Sequence, residues 1–128
     1  MSPRHKWPWL IGAFVFCFFV GGAIWWRGSY QDYLDNRFPW GSLALAAGVA
    51  LFLSWVIGAG IVASAVAIGS AFPATICARL MLDGMEHPTS HNLWPFEVIM
   101  AFGLGMITTF PFAALGALLR RLTLRSRV

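Results

Sequence analysis

Two histidines separated by four positions lie in the most chemically varied segment of this sequence. His87 and His91 have the spacing of a two-ligand metal site on a helix. Pro88 lies between them, so a helix containing both would have to begin near His87. Because the sequence supplies no third ligand at a fixed spacing, we expect no metal and no cofactor here. We interpret the histidines as part of a loop that faces water or lipid headgroups.

The same polar segment leads into an apolar run that begins with an aromatic and an acidic residue. Trp94 suits the headgroup level of a membrane, where indole rings are enriched. Glu97 falls in the first turn of the expected helix, where a carboxylate complements the positive helix end. Polar clusters on loops between rigid elements often carry specific contacts. We therefore predict contact with a partner subunit or with headgroups at His87, His91, Trp94 and Glu97.

Outside this segment the sequence has few groups that could perform catalysis. The most polar side chains within the apolar runs are hydroxyls, those of Ser54, Ser64, Ser70, Thr75, Thr108 and Thr109. Nucleophile–base pairs and phosphate-binding glycine motifs are missing from the sequence. Ion-coupled transporters usually carry an ionisable side chain at mid-membrane depth, and the apolar runs contain none. We expect that the protein is not an enzyme.

The elements that must position these residues are long uncharged runs. Residues 40–78 contain no charged side chain. A single helix of that length would be about 58 Å long, nearly twice the ~30 Å core of a bilayer. Residues 7–26 and 98–119 form two further uncharged runs. The sequence therefore predicts an all-α integral membrane protein, with residues 1–128 forming one transmembrane domain that is a small helical bundle.

The long middle run admits two interpretations. In the first, a helical hairpin turns at Gly58 and Gly60, and Trp55 then lies at a membrane interface. In the second, one strongly tilted helix occupies the whole run. We favour the hairpin because about 20 residues suffice to cross a bilayer. The favoured arrangement has four spans, near residues 7–26, 40–57, 61–78 and 98–119, and three long spans are the alternative.

The net charge of +4 comes largely from one location. Arg120, Arg121, Arg125 and Arg127 directly follow the last apolar run, a position typical of a cytoplasmic anchor against anionic lipids. We predict an integral protein of the cell or inner membrane with a cytoplasmic C-terminus and no nucleic-acid partner. The distribution of basic residues leaves the side of the N-terminus open, because three-span and four-span arrangements satisfy it equally well.

Small residues recur at four-residue spacing in the second half of the middle run. Alanines at this spacing place one small face along a helix, and small faces allow helices to approach closely in lipid. The sequence alone does not distinguish packing within the chain from packing against another subunit. The predicted helix or partner interface consists of Ala59, Gly60, Ala63, Ala67, Gly69 and Ala71.

Two functional hypotheses follow from these features. The first is a non-catalytic accessory subunit of a larger membrane complex, such as a respiratory or photosynthetic one, with other membrane subunits and lipids as partners. Aromatic residues make up 16% of the chain, and their rings suit contact with lipid tails, quinones or pigments. The alternative is a self-assembling small transporter or a holin-like pore, which the small size and the basic tail permit.

Overall fold

The computed structural model describes residues 5–26, 40–86 and 94–126, and these residues form helices joined by short turns, without strands. We number the helices α1 (Trp7–Trp25), α2 (Trp40–Phe52), α3 (Ile61–Gly69), α4 (Ala71–Glu86) and α5 (Trp94–Arg125). A π-helical turn, Leu53–Ile57, continues α2. The prediction of an all-α fold is confirmed.

Four helical stretches are long and apolar enough to cross a membrane, namely Trp7–Trp25, Trp40–Ile57, Ile61–Leu82 and Trp94–Arg125. The middle run is therefore a hairpin, and the alternative with three long helices is wrong. The last two helical stretches extend beyond the uncharged runs from which they were predicted. A charged residue ends an uncharged run but does not end a helix, because Arg and Glu are good helix formers.

The hairpin turn depends on the backbone of one glycine. Gly58 has φ 69°, a left-handed conformation that side chains other than glycine adopt only at a cost. The N–H of Ala59 donates to the carbonyl of Leu53 at 3.0 Å and closes the π-helical end of α2. Gly60 has an extended backbone that any residue can adopt, so only Gly58 requires glycine.

The third apolar stretch is interrupted between α3 and α4. Pro73 lacks an N–H and its ring crowds the carbonyl four residues before it, which belongs to Gly69, the last residue of α3. Ser70 forms the junction, and its hydroxyl donates to the carbonyl of Ala67 at 3.1 Å. The helix resumes at once, because the N–H of Ala74 donates to the carbonyl of Ser70.

The helices pack so that α1 and α5 lie on opposite sides of the molecule. Each of them contacts α2, α3 and α4, but among the described residues their backbones do not approach each other. The core between them consists mainly of small side chains, which brings the helix axes close together. Its most deeply buried members include Ala46, Ala50, Leu53, Ala65, Ile68 and Ala113.

Hydrogen bonds from two cations define one end of the bundle, which we call the turn end. Lys6 at the start of α1 donates to the carbonyl of Gly58 at 2.6 Å. Arg120 near the end of α5 lies 3.2 Å from the carbonyl of Trp55 and 3.3 Å from that of Val56. These carbonyls are at the C-terminal end of a helix, where positive charge is favourable. The first and last helices therefore have their outer termini at the same end.

Candidate functional site

A cavity of about 320 Å³ lies at the other end of the bundle, which we call the cavity end. All four long helical stretches contribute to its walls, including Cys17 of α1, Ala46 of α2, Phe72 of α4 and Leu104 of α5. The cavity occupies the space across which α1 and α5 face each other without contact. Its walls are almost entirely apolar, as is typical of sites for small organic molecules.

Small residues on several helices create this space. Gly21, Ala46, Ala71 and Ala101 all line the cavity and are buried. A β-carbon added to Gly21 would meet no atom within 4 Å, although the residue itself is buried. These small residues therefore leave an open space in the interior at this end. A larger side chain at any one of these positions would reduce the volume of the cavity.

One buried hydroxyl lines the cavity without a hydrogen-bond partner. Ser42 lies in the first turn of α2 and is only 4% exposed. Its Oγ has no hydrogen-bond partner among the residues that the structure describes. Thr75, also in the cavity wall, donates its hydroxyl to the carbonyl of Ala71 at 2.8 Å. Leaving a buried hydroxyl without a hydrogen bond costs about 1–3 kcal/mol of stability. Ser42 therefore offers a hydrogen bond that a molecule in the cavity could accept.

Charges of both signs lie beside the cavity. Glu97 belongs to its wall and also to a neighbouring small cavity of about 30 Å³, which Arg79 lines as well. Arg79 donates to the carbonyl of Trp25 at 2.9 Å and so connects α4 to the end of α1. The indole N–H of Trp26 donates to the carbonyl of Thr75 at 3.4 Å across the same pair of helices. The polar groups thus gather near the outer edge of the cavity, and its deeper walls are apolar.

Toward the turn end the bundle is closely packed. A β-carbon on Gly105 would lie 2.5 Å from the carbonyl oxygen of Gly69, so α3 and α5 meet backbone to backbone. A β-carbon on Gly116 would collide with the carbonyl oxygen of Leu51. Between these contacts the Thr109 hydroxyl lies 2.8 Å from the carbonyl of Gly105 and 3.1 Å from that of Ala65. We conclude that the interior narrows to direct helix contact beyond the cavity.

The predicted small-residue stripe is divided between the inside and the outside of the bundle. Ala59, Gly69 and Ala71 are buried, and Ala67 is half-buried. Gly60 and Ala63 are exposed. The stripe does not form one helix face, since Ala59 precedes α3 and Ala71 begins α4 after the interruption at Ser70. The buried residues of α3 are instead Ser64, Ala65, Ile68 and Gly69.

A second stripe, which the sequence reasoning missed, forms the main packing face of α5. Its buried residues include Ala101, Gly105, Thr109 and Ala113, which lie at strict four-residue spacing, and Gly116. The signal that would have identified it is the small-residue pattern already used for the middle run. The four-residue spacing of small residues is present here in Ala101, Gly105 and Ala113, with Thr109 at the same spacing between the last two.

The predicted polar contact segment is described only in part. His87 and His91 lie outside the described residues. Trp94 begins α5 with 54% of its surface exposed, and Glu97 is half-buried in the cavity wall. Of the two described residues, Glu97 lines the cavity and Trp94 does not. Ser42 and Thr75 line it as well, and Arg79 lines the adjoining small cavity; the sequence reasoning did not select these three as site residues.

Neither a set of metal ligands in the described residues nor a similarity to known proteins indicates what this site binds. Within residues 5–26, 40–86 and 94–126, no three His, Cys, Asp or Glu side chains lie together as a ligand set. Comparison of the chain with protein-family models, with curated proteins and with solved structures finds no match. The functional argument therefore rests on the geometry of the bundle and the cavity.

Proposed function

We propose that this chain is an integral membrane protein and serves as a non-catalytic accessory subunit of a larger membrane complex. Support for insertion comes from the outer surface of the four long helices. Large apolar side chains are exposed on each of them, among them Phe19, Phe52, Val62 and Ile107, the last with 76% of its surface accessible. Such a surface is stable in hydrocarbon, whereas in water it would drive aggregation.

The proposed orientation places both termini in the cytoplasm. Among the described residues, Lys6, Arg120, Arg121 and Arg125 lie at or beyond the turn end, and Arg79 lies toward the cavity end. Positive residues near the ends of spans are retained on the cytoplasmic side. A helix as long as α5 would reach about 48 Å, so its last turns project past the bilayer core toward anionic headgroups.

The observation that carries the accessory role is the closed interior. The Ser54 hydroxyl, in the π-helical turn that continues α2, donates to the Ser64 hydroxyl of α3 at 3.1 Å. This buried hydrogen bond lies at the level where Gly116 meets Leu51. A conduit through the chain would need a continuous polar path, and this level is filled by direct helix contact. A pore would therefore have to form between several copies. A closed interior supports a structural or binding role within a complex.

The outer surface provides small residues for such contacts. Ala63 is exposed on α3, and Gly12 and Gly103 have open space where a β-carbon would lie. Small residues on a lipid-facing surface allow a neighbouring helix to approach closely. We assign Ala63 to this partner-facing surface, and its neighbour Ala65, with no exposed area, to the core.

Native co-purification in mild detergent tests the proposal. The full chain is isolated from its own membrane, and the co-purifying chains are identified by mass spectrometry. Ala63→Leu should reduce partner recovery at least fivefold while leaving the thermal stability of the isolated chain unchanged. Ala44→Leu, at an exposed alanine of α2, is the matched control and should retain the partner.

Other outcomes contradict the proposal. A chain that is always recovered alone is not a subunit of a stable complex. A defined homo-oligomer that conducts ions or solutes in liposomes would instead support the small transporter or pore. If Ala63→Leu and Ala44→Leu lower recovery equally, the partner does not dock on the α3 surface. Ala65→Leu provides the contrast, since it should destabilise the chain itself through overpacking.

A further inference from the structure

We infer that the cavity binds an uncharged, lipid-soluble ring compound whose carbonyl oxygen accepts a hydrogen bond from Ser42. Simple quinones belong to this chemical class. The inference concerns a site inside the chain and is independent of the partner proposed above. It rests on the size of the cavity, the polarity of its walls, the charges beside it and its access from the outer surface.

The volume of the cavity fits a molecule of one or two rings. At about 320 Å³ it is roughly twice as large as the ~150 Å³ apolar cavities that bind benzene. Phe72 and Trp25 contribute aromatic surface to its walls, and flat rings pack well against such surface. The unobstructed space beside Gly21 lies within the same walls. A fused bicyclic ring therefore fits within the available space.

The polar groups of the cavity predict how such a molecule is oriented. Ser42 lies in the first turn of α2, and Glu97 lies in the first turn of α5, so both are near the same membrane interface. Cys17 and Leu104 lie deeper along their helices and are apolar. A carbonyl at the level of Ser42 with its rings toward Cys17 would satisfy the hydroxyl and bury the apolar part.

The charges beside the cavity favour a neutral ligand. Glu97 in the cavity wall and Arg79 in the wall of the adjoining small cavity carry opposite charges, so together they give the site no net charge that would favour an ionic ligand. An ion would also lose its hydration between walls this apolar, whereas a neutral molecule carries no such penalty.

The cavity is accessible from the outer surface of the bundle. Met100 belongs to the cavity wall and is 59% exposed, so the wall reaches the outside beside α5. A lipid-soluble molecule can therefore enter from the bilayer. The hydrocarbon tail of a lipid could use the same route, but its methylene groups offer no acceptor for the Ser42 hydroxyl and would leave that group unsatisfied.

Two probes of similar shape separate the carbonyl interaction from simple apolar filling. Dimethylnaphthoquinone carries two carbonyls, and its methyl groups block addition of the Cys17 and Cys77 thiols. Dimethylnaphthalene is its apolar counterpart. Binding of each probe is measured by titration against the full chain in lipid nanodiscs, and an empty-nanodisc titration corrects for partition into the lipid. The wild-type chain should bind the quinone more tightly than the hydrocarbon.

The variants assign this difference to named residues. Ser42→Ala should weaken quinone binding about three- to tenfold and change hydrocarbon binding less than twofold. Gly21→Leu should abolish binding of both probes, because its side chain occupies the open space in the cavity. Gly103→Leu, where a β-carbon likewise meets no atom but which is not a cavity residue, should leave both affinities unchanged.

The inference is overturned if the wild-type chain and Ser42→Ala bind the quinone equally. It is also overturned if dodecane displaces the quinone completely at equal free concentration, since the cavity would then be an acyl-chain site. Retention of both probes by a folded Gly21→Leu chain would place the binding elsewhere. None of these results depends on partner recovery, so failure here is distinguishable from failure of the accessory role.

Discussion

Replacing Gly105 with alanine should separate α3 from α5 and destabilise the bundle. The added β-carbon would lie 2.5 Å from the carbonyl oxygen of Gly69, and an ordinary contact of 3.4 Å requires a shift of about 0.9 Å (3.4 − 2.5). The nearest obstacle is the backbone of Gly69, so rotation of the neighbouring Phe72 side chain cannot relieve the clash. The two helices must therefore move apart or bend locally.

The size of the effect follows from what this movement breaks. A gap of 0.5–1 Å removes about a quarter to a half of the dispersion energy of each affected contact. The 3.1 Å distance between the Thr109 hydroxyl and the Ala65 carbonyl would grow to about 4.0 Å (3.1 + 0.9), beyond hydrogen-bonding range. Overpacking of this kind costs about 1–3 kcal/mol, and a lost interhelical hydrogen bond in a membrane protein adds about 0.6 kcal/mol.

A matched variant removes the contribution of helix propensity. Gly103→Ala makes the same substitution two positions earlier in α5, where a β-carbon would meet no atom within 4 Å. Both variants gain the same ~1 kcal/mol of helix propensity, so their difference isolates the clash. Gly69→Ala should fall between them, because its nearest neighbour is the flexible sulfur of Met106 at 3.0 Å.

The free energy of unfolding in mixed micelles, measured by titration with a denaturing detergent, gives this difference directly. We expect Gly105→Ala to be less stable than Gly103→Ala by about 1.6–3.6 kcal/mol, the overpacking cost together with the lost hydrogen bond. Equal stabilities, or the reverse order, would refute the close approach of the α3 and α5 backbones. The near-native helix content of each variant, measured by circular dichroism, shows that the comparison is between folded chains.

Three further predictions address other parts of the bundle. Ser54→Ala and Ser64→Ala should each lower the free energy of unfolding by about 0.6 kcal/mol or more. The double variant should lower it by clearly less than the sum of the two, and additive losses would mean that the hydrogen bond of 3.1 Å between them is not formed. Gly58→Ala should lower the free energy of unfolding by about 1–2 kcal/mol because of its left-handed backbone, and it should also displace the Arg120 side chain. Gly60→Ala, at an extended and open position, should lower it by less, and equal losses would contradict the assigned turn. A reporter active only in an oxidising compartment should be inactive when fused at either terminus, and activity at one terminus alone would exclude an even number of spans.

The prediction about Ala67 illustrates where a sequence pattern stops being sufficient. Its four-residue spacing from Ala63 and Ala71 treats the whole stretch as one straight helix. At about 100° per residue, each four-residue step turns by about 40° around the helix axis, so Ala71 lies about 80° from Ala63 and reaches the buried side while Ala63 stays exposed. The structure also interrupts the helix at Ser70, close to Pro73, and the spacing rule does not include such a break.

The sequence by itself determined the all-helical class of fold, and it favoured four long helices while leaving three as an alternative. Uncharged runs of this length predict long apolar helices, and Gly58 with Gly60 offers a turn at which the middle run can divide into two lengths of about 20 residues, the length that crosses a bilayer core. It also determined the acidic first turn of α5 at Glu97, because first-turn position depends only on where an apolar run begins. Both properties depend only on residues that are close together in the sequence.

Only the tertiary structure decided which small residues face each other and which leave space. Gly105 and Gly21 are the same residue type on similar apolar helices, yet the first lies against the backbone of α3 and the second borders the cavity. The unpartnered hydroxyl of Ser42 likewise became significant only when four spans placed it beside that cavity. Helix packing in lipid is driven by the fit of surfaces and not by burial from water, so no hydropathy pattern distinguishes a contact face from a cavity wall.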